Sequence, residues 1–330
     1  MKIIVDDKIP FIRQSIALTG AEAVYLPGAE ISAADVADAD ALIVRTRTVC
    51  DERLLGGSHV RFVATATIGY DHLDTQWLDR AGIKWINCPG CNAASVAQYV
   101  EAALLLIQRN MGLRLKESVI GVVGCGHVGS KVVAAARRAG MRVLVCDPPL
   151  GLPGFVSLAQ IAREADIITF HVPLDETTHH LVDNHFFDSL CRQPIIINTS
   201  RGPVADTIAL KAALADGRIR QAVVDVWENE PAIDRELLNQ VFIGTPHIAG
   251  YSADGKVNAD NMVMDALCNF FGLPQPPRIV PPPLPADFVY SGDPLQLYNP
   301  LDDSQKLKAH PEQFEWLRGN YPLRREQYNQ

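Results

Sequence analysis

The residues that most constrain the fold run from Val119 to Gly129 and read Val-Ile-Gly-Val-Val-Gly-Cys-Gly-His-Val-Gly. An apolar β-branched run, three glycines at G-x-G-x-x-G spacing and apolar residues at helical spacing from Lys131 predict a strand, a tight turn and a helix. Such a turn leaves the N–H groups at the helix start without partners and without Cβ cover, so a pyrophosphate can be hydrogen-bonded there. The stretch therefore predicts an anion-binding turn.

The residues after this turn distinguish a cofactor site from a glycine-rich turn that binds no nucleotide, which is the alternative. A second strand, predicted from Arg142 to Cys146, is followed by Asp147. A dinucleotide fold places an acidic residue there, about 20 residues past the glycines, to bind the ribose hydroxyls. Because a carboxylate repels a 2′-phosphate, NAD is expected as cofactor rather than NADP.

Short β-branched runs alternate with helical stretches along most of the chain, a pattern typical of parallel sheets covered on both faces. We predict an α/β protein with two Rossmann-like, doubly wound parallel-sheet domains and a cleft between them. The expected substrate domain covers residues 1–91 and is completed by 251–272, and the expected NAD-binding domain covers 92–250. Residues 273–330 begin with a proline-rich stretch and are expected to form a linker and a short, reduced, loosely packed C-terminal arm.

Composition excludes several classes of partner. The 330 residues carry a formal net charge of −8, so no basic surface for nucleic acid or for an anionic membrane is expected. The longest apolar run, 102–107, is too short to span a bilayer, and a strand is predicted directly after Met1. The expected location is the cytoplasm.

The seven cysteines are scattered and odd in number, which is typical of reduced thiols. Cys88 and Cys91 form a C-x-x-C pair that could serve redox chemistry or half of a zinc site. No second such pair exists to complete a zinc site, so a structural turn with two free thiols is preferred and no metal is expected.

A long helix is predicted from Asn92 onward, with Ser95 and Gln98 at capping-box spacing. Because this helix is apolar on nearly all sides, more than one face must be covered. We expect a homodimer interface there, with burial within the chain as the alternative.

Three further segments follow predicted strands and carry groups without an obvious structural role. Arg201 presents a guanidinium that matches a carboxylate, Glu230 a carboxylate, and His247 an imidazole that can exchange a proton near neutral pH. Together they suit oxidation of a 2-hydroxy acid: Arg201 anchors the carboxylate, His247 takes the hydroxyl proton and Glu230 orients the imidazole. Taken singly, Arg201 could pair with a surface acid, Glu230 could start a helix at Pro231, and His247 could be a hydrogen-bonded residue at the end of a strand.

With these residues in view, the chain resembles the D-isomer-specific 2-hydroxyacid dehydrogenases over about residues 1–272. The resemblance rests on the glycine turn and on Asn-Thr-Ser-Arg-Gly at 198–202, Asp-Val-Trp-Glu-Asn-Glu-Pro at 225–231 and Thr-Pro-His-Ile-Ala-Gly at 245–250. Segments at 2–7, 64–72, 88–93, 147–149 and 247–251 resemble one member that acts on a phosphorylated acid. That member carries a larger C-terminal dimerisation domain, of which residues 317–326 look like a remnant.

The resemblance implies NAD-dependent oxidation of a small phosphorylated D-2-hydroxy acid. It supports the roles given to Arg201, Glu230 and His247 and implies that Thr46, Thr67 and Tyr251 contact substrate. The expected cofactor-binding residues are Gly124, Gly126, His127, Val128, Gly129, Asp147, Val172, Thr199, Ser200, Asp225 and Gly250.

A phosphate needs nearby cations, and we hypothesise that Arg45 or Arg47 supplies at least one; the alternative is that both face solvent. Two other functions stay open at this point. One is a sibling dehydrogenase for another D-2-hydroxy acid, such as glycerate or 3-phosphoglycerate, and the other is a non-catalytic NAD-sensing scaffold.

Overall fold

The computed structural model describes residues 1–326. The chain divides into two compact units, Met1–Asn92 with Ser252–Ala286, and Ala93–Tyr251 with the C-terminal segment from Asp287. The junctions after 92 and 251 lie one residue beyond those expected from the sequence. Each unit is built on a parallel sheet, which confirms the predicted class of two α/β domains.

The first unit contains a five-stranded sheet and the second a six-stranded sheet. The strands of the first are β1 (Lys2–Asp6), β2 (Glu22–Leu26), β3 (Ala41–Val44), β4 (Phe62–Thr65) and β5 (Lys84–Ile86), in the order β2-β1-β3-β4-β5. The strands of the second are β6 (Val119–Val123), β7 (Arg142–Cys146), β8 (Ile167–Phe170), β9 (Ile195–Asn198), β10 (Gln221–Val224) and β11 (Ile243–Gly244), in the order β11-β10-β9-β8-β6-β7.

The helices lie between these strands and after them. The α-helices are α1 (Arg13–Leu18), α2 (Ala33–Val36), α3 (Glu52–Leu55), α4 (Thr75–Arg80), α5 (Ala93–Met111), α6 (His127–Arg138), α7 (Leu158–Glu164), α8 (Asn184–Asp188), α9 (Thr207–Ala215), α10 (Arg235–Gln240), α11 (Ala253–Phe271), α12 (Pro300–Ala309) and α13 (Phe314–Gly319). Short 3₁₀ turns occupy Leu115–Glu117, Gly202–Val204, Pro294–Gln296 and Pro311–Gln313.

Both sheets are buried on two faces, as their nearly continuous apolar strands predict. In β1, Ile3 and Val5 pack into one hydrophobic cluster and Ile4 into another. In β6, Val119 and Ile120 divide between two clusters in the same way. Side chains alternate across a strand, so each sheet separates two hydrophobic layers.

The strand order places a change of direction between β1 and β3 in the first sheet and between β6 and β8 in the second. Helices that follow such strands lie on opposite faces, which opens a crevice beyond the carboxyl ends where open α/β sheets bind ligands. Asp6 ends β1 at one crevice, and Gly124 follows β6 at the other. These two positions are where each unit can bind a small molecule.

Helix α5 is covered within the second unit. Leu104, Leu106 and Ile107 are at most 4% exposed and share a cluster with residues of α6 and the C-terminal segment. The apolar faces that suggested a dimer interface are therefore buried in the chain, which was the alternative. The homodimer stays a prediction.

The capping box predicted at Ser95 and Gln98 is wrong, because α5 begins at Ala93 and Ser95 lies inside it. The two side chains bind the C-terminal segment instead. The Ser95 hydroxyl donates to Glu326 Oε1 at 2.6 Å, and Gln98 Nε2 donates to the carbonyl oxygen of Arg325 at 2.9 Å.

The expected loosely packed arm is also wrong for the residues from Asp287 onward, which form part of the second unit. Leu307 and Phe314 are 0% and 1% exposed and fill the cluster on one face of its sheet. Ser304 Oγ accepts a hydrogen bond from the N–H of Gly244 at 3.0 Å. In α13, Phe314 and Leu317 lie three residues apart on one helix face and pack against the same cluster.

Cys88 and Cys91 are buried free thiols in the first unit. Cys88 Sγ lies 3.4 Å from the carbonyl oxygen of Thr65, and burial raises the pKa of its thiol. This environment suits a structural turn rather than a reactive pair. Among residues 1–326, no group of three or more His, Cys, Asp or Glu side chains could hold a metal ion. Within the same residues, no helix has the length and apolar character needed to cross a membrane.

Candidate active site

The three glycines of the turn after β6 meet different requirements. At Gly124, whose φ is +88°, a Cβ would lie 2.4 Å from the carbonyl oxygen of His171, and at Gly129 it would lie 1.9 Å from that of Gly124. At Gly126 a Cβ would meet no atom within 4 Å. Val128, between the last two, packs against the core. Protein packing thus requires the first and third glycines, whereas the second leaves open space for a ligand.

Helix α6 begins at His127 with Gly126 as its N-cap, and no side chain caps it. Its free N–H groups and the positive end of its dipole favour an anion. Asp147, after β7, is held beside them, because its carboxylate accepts hydrogen bonds from the N–H groups of Cys125 at 2.7 Å and Leu150 at 3.1 Å. An open glycine, an uncapped helix and a fixed carboxylate fit the pyrophosphate and ribose of NAD.

Other residues expected to bind the cofactor lie at the ends of β8 and β9. Val172 is half-buried beside Gly124. The Thr199 hydroxyl is 3.2 Å from His171 Nδ1, and burial lowers the pKa of His171 to about 3, so this ring is neutral. Ser200 is 6% exposed and directs both its N–H and its hydroxyl to the side-chain oxygen of Asn198. The Ser200 side chain therefore stabilises its own loop.

The structure brings Glu230 and His247 together. His247 Nδ1 lies 2.8 Å from Glu230 Oε2, and Glu230 Oε1 accepts a hydrogen bond from the N–H of Trp227 at 2.9 Å. Burial acts to raise the pKa of Glu230, but the hydrogen bond with His247 and its charge hold that pKa below the ordinary value. An ionised carboxylate on Nδ1 leaves Nε2 for proton exchange with a substrate.

Strand register explains why residues so distant in sequence meet. Asn198 pairs with Val224, and Val224 with Gly244, so β9, β10 and β11 end at one edge of the sheet. The loops beyond that edge are packed tightly: a Cβ at Gly202 would lie 1.9 Å from the carbonyl oxygen of Trp227. The indole Nε1 of Trp227 in turn donates to the carbonyl oxygen of Thr245 at 2.9 Å. The loops that carry Arg201, Glu230 and His247 therefore form one contiguous surface.

Arg201 lies at the start of the 3₁₀ turn after β9 and is half-buried. Its Nη1 donates to the carbonyl oxygen of Ser200 at 2.8 Å, and its own carbonyl oxygen accepts from Asn198 Nδ2 at 3.0 Å. The first contact holds the guanidinium group, and the second holds the backbone of the turn. A guanidinium held in this way beside the Glu230 loop can bind a carboxylate through two parallel hydrogen bonds.

His247 adopts a left-handed backbone conformation with φ +56°, which a residue with a Cβ adopts only when its surroundings enforce it. Its N–H donates to the carbonyl oxygen of Asp225 at 2.7 Å. The Asp225 carboxylate accepts from the N–H groups of Ile248 and Ala249 at 2.8 and 2.9 Å and from the Thr245 hydroxyl at 2.7 Å. Asp225 is 1% exposed, and burial raises its pKa. Its carboxylate holds the His247 loop, and contact with NAD stays a prediction.

Several residues at this site escaped sequence reasoning. Tyr99 in α5 is fully buried and shares a 2.8 Å hydrogen bond with Thr245. Arg318 in α13 lies 3.9 Å from Glu230 and interacts electrostatically with Tyr251. Arg324 binds the backbone around Gly250. The only signal for the two arginines was that they lie in a segment identified as a family remnant.

The expected substrate residues of the first unit lie after β3 and β4. Arg45 Nε is 3.2 Å from Asp6 Oδ2, and the Asp6 side chain is 0% exposed. Thr46 and Arg47 are exposed, and Thr67 is half-buried. Both arginines lie in the loop after β3, so either can be the cation expected for a phosphate.

Comparisons with known proteins agree with this geometry. Residues 94–249 match the family described as D-isomer specific 2-hydroxyacid dehydrogenase, NAD binding domain. The chain is 53% identical to the erythronate-4-phosphate dehydrogenase of Bacteroides thetaiotaomicron, with 99% of this chain and 97% of the relative covered. It is 42% identical to that of Edwardsiella ictaluri, with 99% and 93% covered. Because 99% of this chain is covered, the match with the Bacteroides relative includes the C-terminal segment.

Solved structures show the same fold. An NAD⁺-bound 3-phosphoglycerate dehydrogenase of Entamoeba histolytica matches with a TM-score of 0.72 and 26% identity over 82% of this chain and 95% of that chain. The TT0316 protein of Thermus thermophilus matches with a TM-score of 0.71 and 27% identity over 85% and 100%. The chain belongs to the erythronate-4-phosphate dehydrogenases, within the D-isomer specific 2-hydroxyacid dehydrogenase family, and is an NAD-dependent enzyme.

Proposed function

We propose that this protein oxidises 4-phospho-D-erythronate at C2 to the 2-oxo acid 4-phosphate, in the biosynthesis of pyridoxal phosphate. Family membership and the names of the relatives support this substrate. The observation that carries the proposed chemistry is the 2.8 Å contact of Glu230 with His247 Nδ1, next to the loop that presents Arg201. NAD, when bound, supplies the hydride acceptor.

His247 is the proposed acid/base. During oxidation the O–H bond of the substrate breaks and its proton passes to Nε2, while the C2–H bond breaks and C2 becomes a carbonyl carbon. Glu230 stabilises the imidazolium that forms and fixes the ring so that Nε2 faces the substrate. Because hydrogen bonds already hold the loops of His247 and Glu230 in place, these side chains need little reorganisation to reach the transition state.

Arg201 is the proposed anchor of the substrate carboxylate. A bidentate pair orients the acid about two axes, so C2 and its hydroxyl are presented in one geometry. Tyr251 is the last residue of the His247 loop and is half-buried, which suits contact with the same substrate. Thr46 and Thr67 are the proposed substrate contacts in the first unit.

Arg45 or Arg47 is the proposed phosphate cation. The test is R45E and R47E, made singly, with KM compared for phosphorylated and unphosphorylated hydroxy acids. We expect KM to rise about tenfold or more for the phosphorylated substrate only, in at least one of the two variants, since a charge-assisted contact is lost and a like charge is added. Equal changes for both substrates in both variants would contradict this assignment.

The substrate is tested by initial rates of NADH formation over D- and L-2-hydroxy acids with and without a 4-phosphate, including glycerate and 3-phosphoglycerate. We expect 4-phospho-D-erythronate to give the highest kcat/KM and the L-acids to give none. A preference for 3-phosphoglycerate would change the assigned substrate but leave the proposed chemistry unchanged. NAD binding without NADH formation from any acid would point to the sensing scaffold.

A further inference from the structure

The loop from His247 to Tyr251 is held from two sides by opposite charges. Asp225 binds its N–H groups, as described above. Its carbonyl oxygens face a cation, Arg324, from the C-terminal segment. Arg324 Nη1 donates to the carbonyl oxygens of Ile248 at 3.1 Å and Tyr251 at 2.9 Å, and Nη2 donates to that of Ala249 at 2.5 Å. The carboxylate and the guanidinium together engage the backbone on both sides of the loop.

Arg324 is enclosed by its own partners. It is 8% exposed and its guanidinium carbon lies 3.8 Å from the centroid of the Tyr298 ring. Its Nε donates to Gln98 Oε1 at 2.9 Å, and Nη2 also reaches the carbonyl oxygen of Ser95 at 3.3 Å. A buried charge is tolerated when its hydrogen-bonding capacity is used, and here the fork of donors serves the loop and helix α5 at once.

A second buried arginine of the same segment approaches the acid/base pair. Arg318 Nη1 lies 3.9 Å from Glu230 Oε2, and its side chain is 11% exposed. Its charge also interacts with the side chain of Tyr251, the last residue of the loop held by Arg324. The C-terminal segment therefore contacts both the loop that carries His247 and the carboxylate that orients it.

The left-handed backbone conformation of His247 explains why the contacts of Arg324 matter. At φ +56° this residue relaxes toward a more populated conformation unless several contacts oppose the change. Such a relaxation would turn the imidazole away from Glu230. The three carbonyl hydrogen bonds of Arg324 lie within four residues of His247 and oppose that movement from the side opposite to Asp225.

We propose that Arg324 is a positioning residue for the reaction: it holds the 247–251 loop so that His247 stays on Glu230, and the C-terminal segment is thereby a component of the active site. Arg318 supports the same arrangement. The proposal rests on the proposed role of His247 as acid/base.

The variants that test it are R324K and R324Q. Lysine keeps the charge but cannot present the planar fork of donors, so we expect both variants to lower kcat at least tenfold. The Kd for NAD should change less than twofold, because the glycine turn is untouched. The matched control is R109Q, which removes a half-exposed guanidinium that joins α5 to Asp293 of the same segment. R109Q should keep kcat.

A double variant with H247N distinguishes a positioning role of Arg324 from a general loss of stability. In the H247N background, adding R324K should lower the residual rate less than twofold, since the group it positions is already gone. A full additional loss would overturn the proposal. The proposal would also be overturned if R324K, measured below its Tm, had the kcat of the wild type. The charge of Arg324 or its contribution to stability would then be its whole role.

A spectroscopic readout keeps the test independent of turnover. The Hε1–Cε1 resonance of His247, assigned by its loss in H247N, should shift in R324K and not in R109Q. An unchanged resonance overturns the proposal even if the wild type oxidises no acid in the panel, an outcome that would refute the proposed function separately. If the Arg324 variants do not fold, Q98L removes one acceptor of the guanidinium and should shift the same resonance by a smaller amount; no shift there would also overturn the proposal.

Discussion

The glycine turn and the His247 loop both lie in the second unit, after β6 and β11, which three strands separate, and they are built in different ways. The turn and its acidic partner come from one stretch, residues 119–147, and their contacts are mostly backbone contacts within it. The His247 loop and the preceding Thr245 are held by Tyr99, Asp225, Glu230 and Arg324, which come from three separate segments. The glycine turn that binds the cofactor is therefore a local structure, whereas the geometry for proton transfer depends on long-range packing.

The sharpest test of this division is H247N. Loss of the acid/base should lower kcat by about 10³-fold, within the range of general acid–base catalysis, while the Kd for NAD stays within twofold. Stopped-flow rates and fluorescence titration with NAD measure the two quantities. The matched control is H185N, which changes an exposed histidine of the same unit and should leave both unchanged. A parallel loss of NAD binding in H247N would break the comparison.

D225N tests the long-range support of the loop. The amide oxygen can keep the two hydrogen bonds that Oδ1 accepts, but the NH₂ group would face the N–H of Ala249, which now donates to Oδ2. We expect kcat to fall about 30-fold and stability by about 2 kcal/mol from the unsatisfied buried groups. Urea unfolding and steady-state rates check both values. An unchanged kcat would show that the loop keeps its geometry without Asp225.

G126A and G129A test whether two glycines of the turn have different roles, one in ligand binding and one in packing. A Cβ at Gly126 meets open space, so G126A should keep Tm and weaken NAD binding about tenfold by obstructing the pyrophosphate. A Cβ at Gly129 collides with the backbone at Gly124, so G129A should lower Tm before any ligand is added. Calorimetry with and without NAD separates the two effects. Equal behaviour of the variants would contradict the different roles assigned to these glycines.

E230Q is expected to lower stability by an amount that depends on pH in a defined direction. His247 holds the pKa of Glu230 below its ordinary value, so the carboxylate contributes stability above an unfolded pKa of about 4.3 and loses it as pH falls through the folded pKa. We expect E230Q to be about 2 kcal/mol less stable than wild type at pH 7, with the difference disappearing at acid pH. Unfolding curves from pH 3 to pH 8 measure this difference. E236Q, at an exposed carboxylate, should show almost none.

Much of the fold was predictable because its signals are local. Apolar strands separated by helices gave both parallel sheets, and the glycine spacing with Asp147 gave the cofactor turn. At the candidate site, the sequence also indicated Arg201, Glu230 and His247, since polar groups that follow parallel strands converge at one edge.

The remainder depends on contacts that no local pattern encodes. Arg324 is read from sequence as one of two adjacent basic residues in a short tail, and only its carbonyl partners show that it supports the His247 loop. Likewise, the apolar faces of α5 suggested a partner subunit because the segment that covers them follows about 180 residues later, beyond a proline-rich stretch. Burial by distant segments is decided by tertiary packing.

The central claim is that His247 accepts the hydroxyl proton as C2 is oxidised. Its most direct test is the pH dependence of kcat/KM for 4-phospho-D-erythronate in wild type and H247N. The wild-type value should fall at acid pH as the proton acceptor becomes protonated, and this limb should be absent from the residual activity of H247N. An acid limb of the same midpoint in H247N would show that another group takes the proton and would contradict the account.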